Sequence, residues 1–571
     1  MGKKDYSNYT KEELIKEVES LKKQKTYGLV WEEDKTKENF DYYINWDGIK
    51  NKELFKETEH KFPVIKEIDK EIKTASTSDY NIIIEGDNYH SLAVLNFTHA
   101  KSIDIIYIDP PYNTGSKDWR YNNDYVQKED NYRHSKWLSF MEKRLKLSKN
   151  LLKKNGVLIC TIDENEHSTL GILLQEIFFN YEIVCVTIVH NPGGIQGNNF
   201  SYCHEYAYFV YPSNGTYISK LKRENIQPTP LRDWGKESSK RTSAKNCFYP
   251  ILVKENKIIG FGDVSIDSFH PKSSNIKISA GVIEVYPVDK KGIERKWRFS
   301  RQSVEGIQDE LTTNEINGEI TILREKENYR WKTVWTDTKY NANVYGTKLL
   351  GNILKTKFPF PKSLYAVEDC LRAVIHPKNA TILDFFAGSG TTGHAVLNLN
   401  QEDGGNRKFI LCTNNENDIC TEVTYPRIKK VIQGYVGIND KKNYAGMKTN
   451  LKYYKTDFVD SKGTDKNKRK LVNESTDMIC IKESAFEKVI DKEGFKIFKN
   501  DHIYLGIIFD EDSIADFVKE SKKINNKFNV YIFSLDASVP EDEFKEIKDK
   551  VTLCPIPEVI LQVYRRVFKN D

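Results

Sequence analysis

The chain has 571 residues, 30% of them charged and 39% hydrophobic, and a formal net charge of +5, which is typical of a globular protein with about three or four domains of ~150 residues. The small net charge permits nucleic-acid binding without arguing for it. The nine cysteines include no C-x-x-C pair, which argues against a zinc site or a disulfide framework and favours a reducing cytoplasm. The sequence shows no signal segment and no apolar run of ~18 residues, so neither secretion nor a membrane span is expected.

The N-terminal part of the chain is predicted to contain an extension followed by the start of an α/β core. Residues 1–60 form the predicted extension, in which a capping box indicates a helix over 10–25. The first part of the core is predicted over 61–211. It begins with the buried strand Ile82–Ile84 and an acidic turn that contains Asp87, followed by a helix.

The next predicted strand covers Ile103–Ile108, an apolar run rich in β-branched residues. Asp109 stands at its end, and Pro110 and Pro111 remove two backbone donors, so the chain must leave the sheet in a rigid loop that carries Tyr112. Ligands of open α/β sheets bind outside the carboxyl ends of strands. Asp109 and the Pro110 carbonyl can accept the two hydrogens of a planar NH2 group while Tyr112 stacks on its plane. An ordinary Pro-rich turn after a buried strand is the alternative interpretation.

Residues 212–345 are predicted to form an inserted domain, because the α/β pattern weakens there and short alternating segments replace it. Basic residues in this stretch are interleaved with aromatic ones: Arg232, Trp234, Lys240, Arg241, Lys245, Arg295, Lys296, Trp297, Arg298 and Arg301. Such a surface can neutralise phosphates and stack on bases. Composition alone favours a charged, solvated, β-rich insert.

The second part of the core is predicted over 346–445 and contains a glycine loop, GSGTTG, after a buried strand. The loop matches G-x-G-x-x-G, which alone is a weak dinucleotide signal. Asp384 just before the glycines would repel a pyrophosphate, but it can bind a cationic amino group. Glu416, beyond the next strand, can hold two ribose hydroxyls. An amino acid joined to a ribose without phosphate describes S-adenosylmethionine. Close strand-to-helix packing is the alternative; it accounts for Gly393 but not for both acids.

Residues 446–571 are predicted to be a C-terminal α/β assembly domain, because they contain no catalytic constellation. Its strands are predicted near 478–482, 502–509 and 528–534, and its helices near 512–523 and 540–549.

The order of the two motifs, DPPY first and FFAGSG later, resembles the amino-methyltransferases of DNA in their permuted β-class order. The segments IEGDNYHSL, NPGGIQGNNFSYCHEYAYFV, FPFPKSLYAVEDCL, FILCTNNEN and GMKTNLKYYKT extend this resemblance to the modification (Mod) subunit of Type III restriction-modification systems. The resemblance covers nearly the whole chain and is poor within 212–345. It implies an α/β methyltransferase fold, a doubly wound and mainly parallel Rossmann-like sheet, with an inserted target-recognition domain.

The resemblance also implies roles for individual residues. The catalytic loop that holds the target base would be Asp109, Pro110, Pro111 and Tyr112. The cofactor, S-adenosylmethionine, would be bound by Asp87, Lys362, Asp384, Phe385, Gly388, Gly390 and Glu416. In this assignment Asp87 lies near the adenine, Lys362 neutralises the methionine carboxylate, and Glu416 holds the ribose. No metal is required.

The function expected from the resemblance is site-specific methylation of adenine N6 in double-stranded DNA. The expected partners are a second copy of the chain and a separate helicase-nuclease (Res) subunit, in a bacterial cytoplasm. N4-cytosine methylation and a non-catalytic DNA-specificity subunit remain alternatives, RNA is an alternative substrate, and an oxidoreductase would rest only on the glycine spacing.

Overall fold

The computed structural model describes residues 10, 31, 61–76, 79–121, 124–127, 130–196, 199–222, 226–278, 281–356, 358–535 and 538–569. Apart from Thr10 and Trp31, the predicted N-terminal extension and its helix lie outside these residues. The chain divides into two compact units, one of 1–218 with 332–571 and one of 219–331.

A ten-stranded sheet organises the larger unit. Its strands are β1 (Lys61–Lys73), β2 (Asn81–Glu85), β3 (Ile103–Ile108), β4 (Leu152–Ile162), β5 (Tyr181–Ile188), β6 (Glu205–Pro212), β7 (Val334–Trp335), β8 (Thr381–Asp384), β9 (Lys408–Thr413) and β10 (Asn450–Asp460). Their spatial order is β1-β10-β2-β9-β8-β3-β4-β6-β5-β7. Within the described chain, six of the nine strand pairings are parallel and three antiparallel. The prediction of a mainly parallel sheet is confirmed.

The larger unit also contains helices. They are α1 (Asn88–Thr98), α2 (Arg133–Lys149), α3 (His167–Ile177), α4 (Leu349–Ile353), α5 (Leu364–Ala373), α6 (Thr391–Asp403), α7 (Tyr425–Gln433), α8 (Asp465–Glu474), α9 (Thr476–Glu483), α10 (Ile514–Lys522) and α11 (Glu558–Lys569). In the part of the chain that the structure describes, no helix is both long and apolar enough to cross a membrane.

Both faces of the sheet are covered, which explains why its central strands are apolar without alternation. On one face, Ile410 and Cys412 of β9 share a core with the side chains of α1. On the other face, α6 packs so closely that a Cβ on Gly393 would lie 3.0 Å from the Leu411 side chain. All six residues of β3 are buried. The doubly wound α/β fold class is therefore confirmed.

Short hairpins and a second sheet complete the larger unit. The hairpins pair Ser116–Tyr121 with Asp124–Gln127, Ile195–Gln196 with Ser201–Tyr202, and Gly434–Val436 with Asn443–Ala445. The second sheet contains Glu487–Asp491, Phe495–Lys499, Tyr504–Ile508, Phe528–Phe533 and Val551–Ile556, in that order.

Two features of the predicted C-terminal domain differ in the structure. The segment predicted as a strand near 478–482 is part of helix α9, because a short apolar run of this kind fits a buried helix as well as a strand. The predicted start at 446 also precedes β10, which lies between β1 and β2 in the central sheet. The first strand of this region therefore completes the core sheet, and only the segments after it build the second sheet.

The smaller unit, Ser219–Trp331, lies inside the predicted insert at 212–345 and is rich in short β-strands. Its strands are Lys220–Lys222, Thr229–Pro230, Ile251–Lys254, Lys257–Phe261, Asn275–Lys277, Val282–Val285, Leu311–Ile316, Glu319–Arg324 and Asn328–Arg330, with a short helix at Arg301–Val304. It has a core of its own around Tyr249, Trp297 and Ile322. The flanking residues 212 and 334–335 belong instead to β6 and β7 of the central sheet.

Candidate active site

The two sequence motifs follow neighbouring strands of the sheet. Strands β3 and β8 are parallel and adjacent, with Ile105 opposite Ile382 and Ile106 opposite Leu383. Asp109 and the DPPY loop follow β3, while Asp384 and the glycine loop follow β8, so both loops leave the same edge of the sheet. The two loops are far apart in sequence, but the pairing of their strands brings a carboxylate acceptor and a glycine loop together at the carboxyl edge of the sheet.

Asp109 is held at this edge by two contacts to its Oδ1 atom. The hydroxyl of Thr161, on the neighbouring strand β4, donates a hydrogen bond of 2.7 Å, and the Lys362 ammonium lies 3.2 Å away. Burial raises the pKa of Asp109, and the positive charge of Lys362 opposes that rise. The side chain keeps 26% of its surface exposed. Asp109 is therefore oriented by the protein and still accessible to a substrate.

Tyr112 lies in a cluster with Lys362 and Glu205. Its hydroxyl donates to Glu205 Oε2 at 3.1 Å, and Lys362 Nζ lies 4.4 Å from the centre of its ring. Lys362 Nζ also donates to the Tyr112 hydroxyl and to Glu205. Both the orientation of the ring and the position of its hydroxyl are therefore determined by side chains distant in sequence.

The proline loop is anchored on both sides of Tyr112. The indole N–H of Trp137, which is fully buried in α2, donates a 2.7 Å hydrogen bond to the carbonyl of Pro111. Asn113 has a left-handed backbone conformation with φ of 57°, and its side-chain amide donates to the buried Glu166. Such a conformation is uncommon for a residue other than glycine and is tolerated by asparagine. These contacts leave the Pro110 carbonyl in a loop of defined shape.

The glycine loop is shaped around Asp384. The Asp384 carboxylate accepts hydrogen bonds from the Thr392 hydroxyl at 2.5 Å and from the Phe386 amide at 2.9 Å. Burial raises the pKa of Asp384 to about 7, although both hydrogen bonds act in the opposite direction. Gly388 and Gly390 have φ of 48° and 76°, the left-handed region that favours glycine. The loop thus presents a buried acid beside backbone that other residues would strain.

The remaining predicted cofactor residues follow the next strands along the same edge. Phe385 is fully buried, and its carbonyl accepts a 3.0 Å hydrogen bond from Asn88. Asp87, just after β2, caps helix α1 by accepting from the Tyr89 amide at 2.8 Å. Glu416 lies in a helical turn after β9, half-buried. Strands β2 and β9 are parallel neighbours, with Glu85 opposite Thr413, so Asp87 and Glu416 leave the sheet side by side.

Comparison with known proteins identifies the family. The family model for N6/N4 methyltransferases, a DNA methylase family, matches residues 103–450, which include both loops. The chain is 31% identical over 379 residues to the Type II methyltransferase M.KpnI of Klebsiella pneumoniae, an alignment that covers 62% of this chain and 86% of that protein. The chain belongs to the DNA methylase family.

The methylase is also similar to Type III modification subunits. It is 27% identical over 425 residues to the Type III restriction-modification enzyme EcoPI Mod subunit of Escherichia phage P1, covering 66% of this chain and 64% of that subunit. It spans between 54% and 64% of the length of the Mod subunits that it matches. The resemblance to Mod subunits is confirmed.

Among solved structures, the M1.HpyAVI–SAM complex aligns with 13% identity and a TM-score of 0.30, covering 61% of this chain and 97% of that one. S-Adenosylmethionine is the cofactor of the methylase.

Several side chains that organise the methylase site were not anticipated from the sequence. Glu205 begins strand β6, Thr161 lies near the end of β4, and Arg427 lies in α7. The buried Arg427 guanidinium donates to the hydroxyl of Thr391, at 2.8 Å, and to the carbonyl of Ser389, at 3.3 Å, and so supports the glycine loop. The sequence offered a signal for Glu205, because it is an acidic residue at the start of an otherwise apolar strand, EYAYFVY.

Part of the basic set in the smaller unit has a structural role. Arg241 is buried and donates to three backbone carbonyls, those of Phe269, Ser265 and Ile266. Trp297 is 2% exposed. By contrast, the Trp234 side chain is 63% exposed, and the Arg232 guanidinium lies 5.8 Å from the centre of its ring. Only basic and aromatic residues of the insert that are exposed, as Trp234 is, can form the predicted nucleic-acid surface. The role of that surface stays a prediction.

Proposed function

We propose that this DNA methylase is the modification and recognition subunit of a Type III restriction-modification system, which methylates N6 of adenine at a specific site in double-stranded DNA. The observation that carries the proposal is the pairing of β3 with β8, because it brings the DPPY loop and the glycine loop to one edge of the sheet. A methyl donor and an amino group must meet at such a point for direct transfer.

The proline loop is the proposed site for the target base. An exocyclic amino nitrogen is a poor nucleophile because its lone pair is delocalised into the ring. Asp109 and the carbonyl of Pro110 accept the two N6 hydrogens, which favours a tetrahedral nitrogen whose lone pair points away from the ring. The methyl group would come from the cofactor's sulfonium, and the surplus proton of the cationic methylated nitrogen would pass to the Asp109 carboxylate and on to solvent. Asp109 need not act as a strong base, since that nitrogen is acidic and orientation and charge stabilisation supply much of the effect. Pro111 keeps the loop rigid through its contact with Trp137.

The target base must leave the duplex to reach this loop. Extruding a base costs a few kcal/mol. Stacking on Tyr112 returns about 1–3 kcal/mol, by analogy with proteins that bind single strands. The fixed orientation of the Tyr112 ring, held by Lys362 and Glu205, reduces the entropy lost when the base stacks.

The cofactor assignment follows the acids along the edge. S-Adenosylmethionine supplies a methyl group on a positively charged sulfur. Asp384 binds its amino group, with Phe385, Gly388 and Gly390 forming the adjacent loop, while Glu416 binds the ribose and Asp87 the adenine side. The chemistry of these residues fits a cationic, phosphate-free ligand, because a buried carboxylate whose pKa is about 7 becomes ionised beside a cation. Direct transfer requires no covalent intermediate on the protein.

Partners are proposed from the Mod relatives. We propose a homodimer that joins a separate helicase-nuclease (Res) subunit in the bacterial cytoplasm, with the insert at 212–345 reading the DNA sequence. Exchanging this insert for that of a related methylase is expected to move methylation to the relative's site. Unchanged specificity would place the reading residues elsewhere.

Base-resolution methylation mapping tests the proposal. DNA from cells that express the protein is sequenced for modified bases, and its nucleosides are separated by mass spectrometry. The expected product is N6-methyladenine at one sequence. N4-methylcytosine would replace the adenine assignment, and an unmodified genome in cells that contain folded protein would favour a non-catalytic specificity subunit.

A further inference from the structure

Glu205 occupies an unusual place in the sheet. It is the first residue of β6, which runs antiparallel to β4 and β5. The first residue of an antiparallel strand lies at the same edge as the last residues of its neighbours, so Glu205 stands beside the loops that follow β3 and β4. Its side chain is 4% exposed. A buried carboxylate is costly unless it is paired and hydrogen-bonded.

The partners of Glu205 are both part of the candidate site. The Tyr112 hydroxyl donates to Oε2 at 3.1 Å, and the Lys362 ammonium donates to the same oxygen. Lys362 also donates to the Tyr112 hydroxyl and lies 3.2 Å from Asp109 Oδ1. Two of the three N–H donors of the Lys362 ammonium engage the Tyr112 hydroxyl and Glu205, and the same ammonium forms an ion pair with Asp109. Lys362 is therefore directed at the proline loop rather than at a cofactor carboxylate.

We propose that Glu205 is a positioning residue for methyl transfer, which acts by holding the Lys362 ammonium between the Tyr112 hydroxyl and the Asp109 carboxylate. In this role Lys362 serves the target-base side of the site rather than the methionine carboxylate. The inference deepens the proposed function and rests on it.

The charges of the cluster support this arrangement. Burial acts to raise the pKa of Glu205, but the charge of Lys362 holds it below its usual range. Burial acts in turn to lower the pKa of Lys362, while Asp109 and Glu205 together raise it to about 12. The pair is thus ionised at neutral pH. Removing the Glu205 charge would leave a buried ammonium with one carboxylate partner, which draws Lys362 towards Asp109 and away from Tyr112.

The test separates binding from turnover in four variants of the full chain: Glu205→Gln, Glu205→Asp, Lys362→Met and the double variant Glu205→Gln/Lys362→Met. Misplacement of a reacting group by 1 Å can cost about a hundredfold, so we expect Glu205→Gln to lower kcat at saturating S-adenosylmethionine by about ten- to a hundredfold. Because neither residue binds the cofactor in this scheme, its Kd, measured by calorimetry, is expected to stay within about twofold in every variant.

The double variant and the conservative variant report on positioning itself. Since the two residues act as one unit, the double loss is expected to be no larger than that of the worse single variant. Glu205→Asp keeps the charge and is expected to recover part of the turnover. If Glu205→Gln fails to fold, Glu205→Asp and Lys362→Met carry the same comparison.

Glu483→Gln is the matched control. Its carboxylate also accepts from a tyrosine hydroxyl, that of Tyr531 at 2.6 Å, but in the C-terminal part of the chain; its turnover is expected to equal that of wild type. Normal kcat in Glu205→Gln would overturn the inference. So would a Lys362→Met enzyme whose Kd for S-adenosylmethionine rises about tenfold with unchanged kcat. A wild-type enzyme without methylation activity would instead refute the proposed function.

Discussion

Replacing Asp109 by asparagine removes a negative charge from the candidate site with little change of shape. The amide oxygen of asparagine can still accept the 2.7 Å hydrogen bond from Thr161. Lys362, 3.2 Å from Oδ1, loses the negative charge of its partner. The N6 hydrogen that bonds residue 109 would then meet a neutral acceptor. Losing one preorganised electrostatic contact in an active site costs about 2.7–4 kcal/mol, or ~10²–10³ in kcat. Asp109→Ala, which also removes the acceptor, is expected to abolish transfer.

The assay measures single-turnover transfer of a labelled methyl group to duplex DNA, together with equilibrium binding of S-adenosylmethionine. The binding constant of both variants is expected to stay within about threefold of wild type, because Asp109 contacts the target base and not the cofactor in the proposed scheme. Asp104→Asn is an unsuitable control, since Asp104 bonds the Thr381 amide of β8, whereas Glu483→Gln leaves the central sheet intact. Normal turnover in Asp109→Asn would remove this residue from the mechanism, and a large loss of cofactor affinity would reassign it.

Three further outcomes are expected. Tyr112→Ala should lose about 1–3 kcal/mol of stacking and reduce transfer to a duplex more than to a mismatched target, which pays less for base extrusion; equal losses would contradict the stacking role. Burial raises the pKa of Asp384 to about 7, and a cation binds the ionised form. Affinity for S-adenosylmethionine should therefore fall by up to tenfold per pH unit below about pH 7. If the wild-type affinity depended on pH as little as that of Asp384→Asn, the contact between Asp384 and the cofactor would be contradicted. Trp137→Phe should lower the free energy of unfolding in urea by about 1–2 kcal/mol, since the Pro111 carbonyl loses its 2.7 Å partner; unchanged stability would show that this hydrogen bond does not anchor the loop.

The local sequence pattern was informative where residue type directly constrains the backbone conformation. The isoleucine-rich run of β3 and the two prolines after it indicated both a buried parallel strand and its end. The glycines after β8 likewise indicated a loop, and the structure shows two of them, Gly388 and Gly390, in the left-handed conformation before α6. The pattern failed for the buried run at 478–481 in α9, because a short apolar segment carries no period that separates helix from strand.

The interpretation of charged residues was incomplete for a related reason. In a basic, aromatic stretch the sequence predicts either a solvated surface or phosphate contacts, but Arg241 is buried and bonds backbone carbonyls of its own unit. A formal charge in a sequence does not state whether its partner is solvent, a ligand or the chain itself. Only the packing of the smaller unit decides between these for each residue.

By itself, the sequence determined the residue types that the site requires and the strands after which they stand: an acid and two prolines after one strand, an acid and glycines after another. Only the tertiary structure decided which side chains act together. Lys362 and Glu205 are 157 positions apart, and no local period connects them. They meet because an antiparallel strand returns its first residue to the carboxyl edge of a parallel sheet, a consequence of strand order that no single segment of the chain contains.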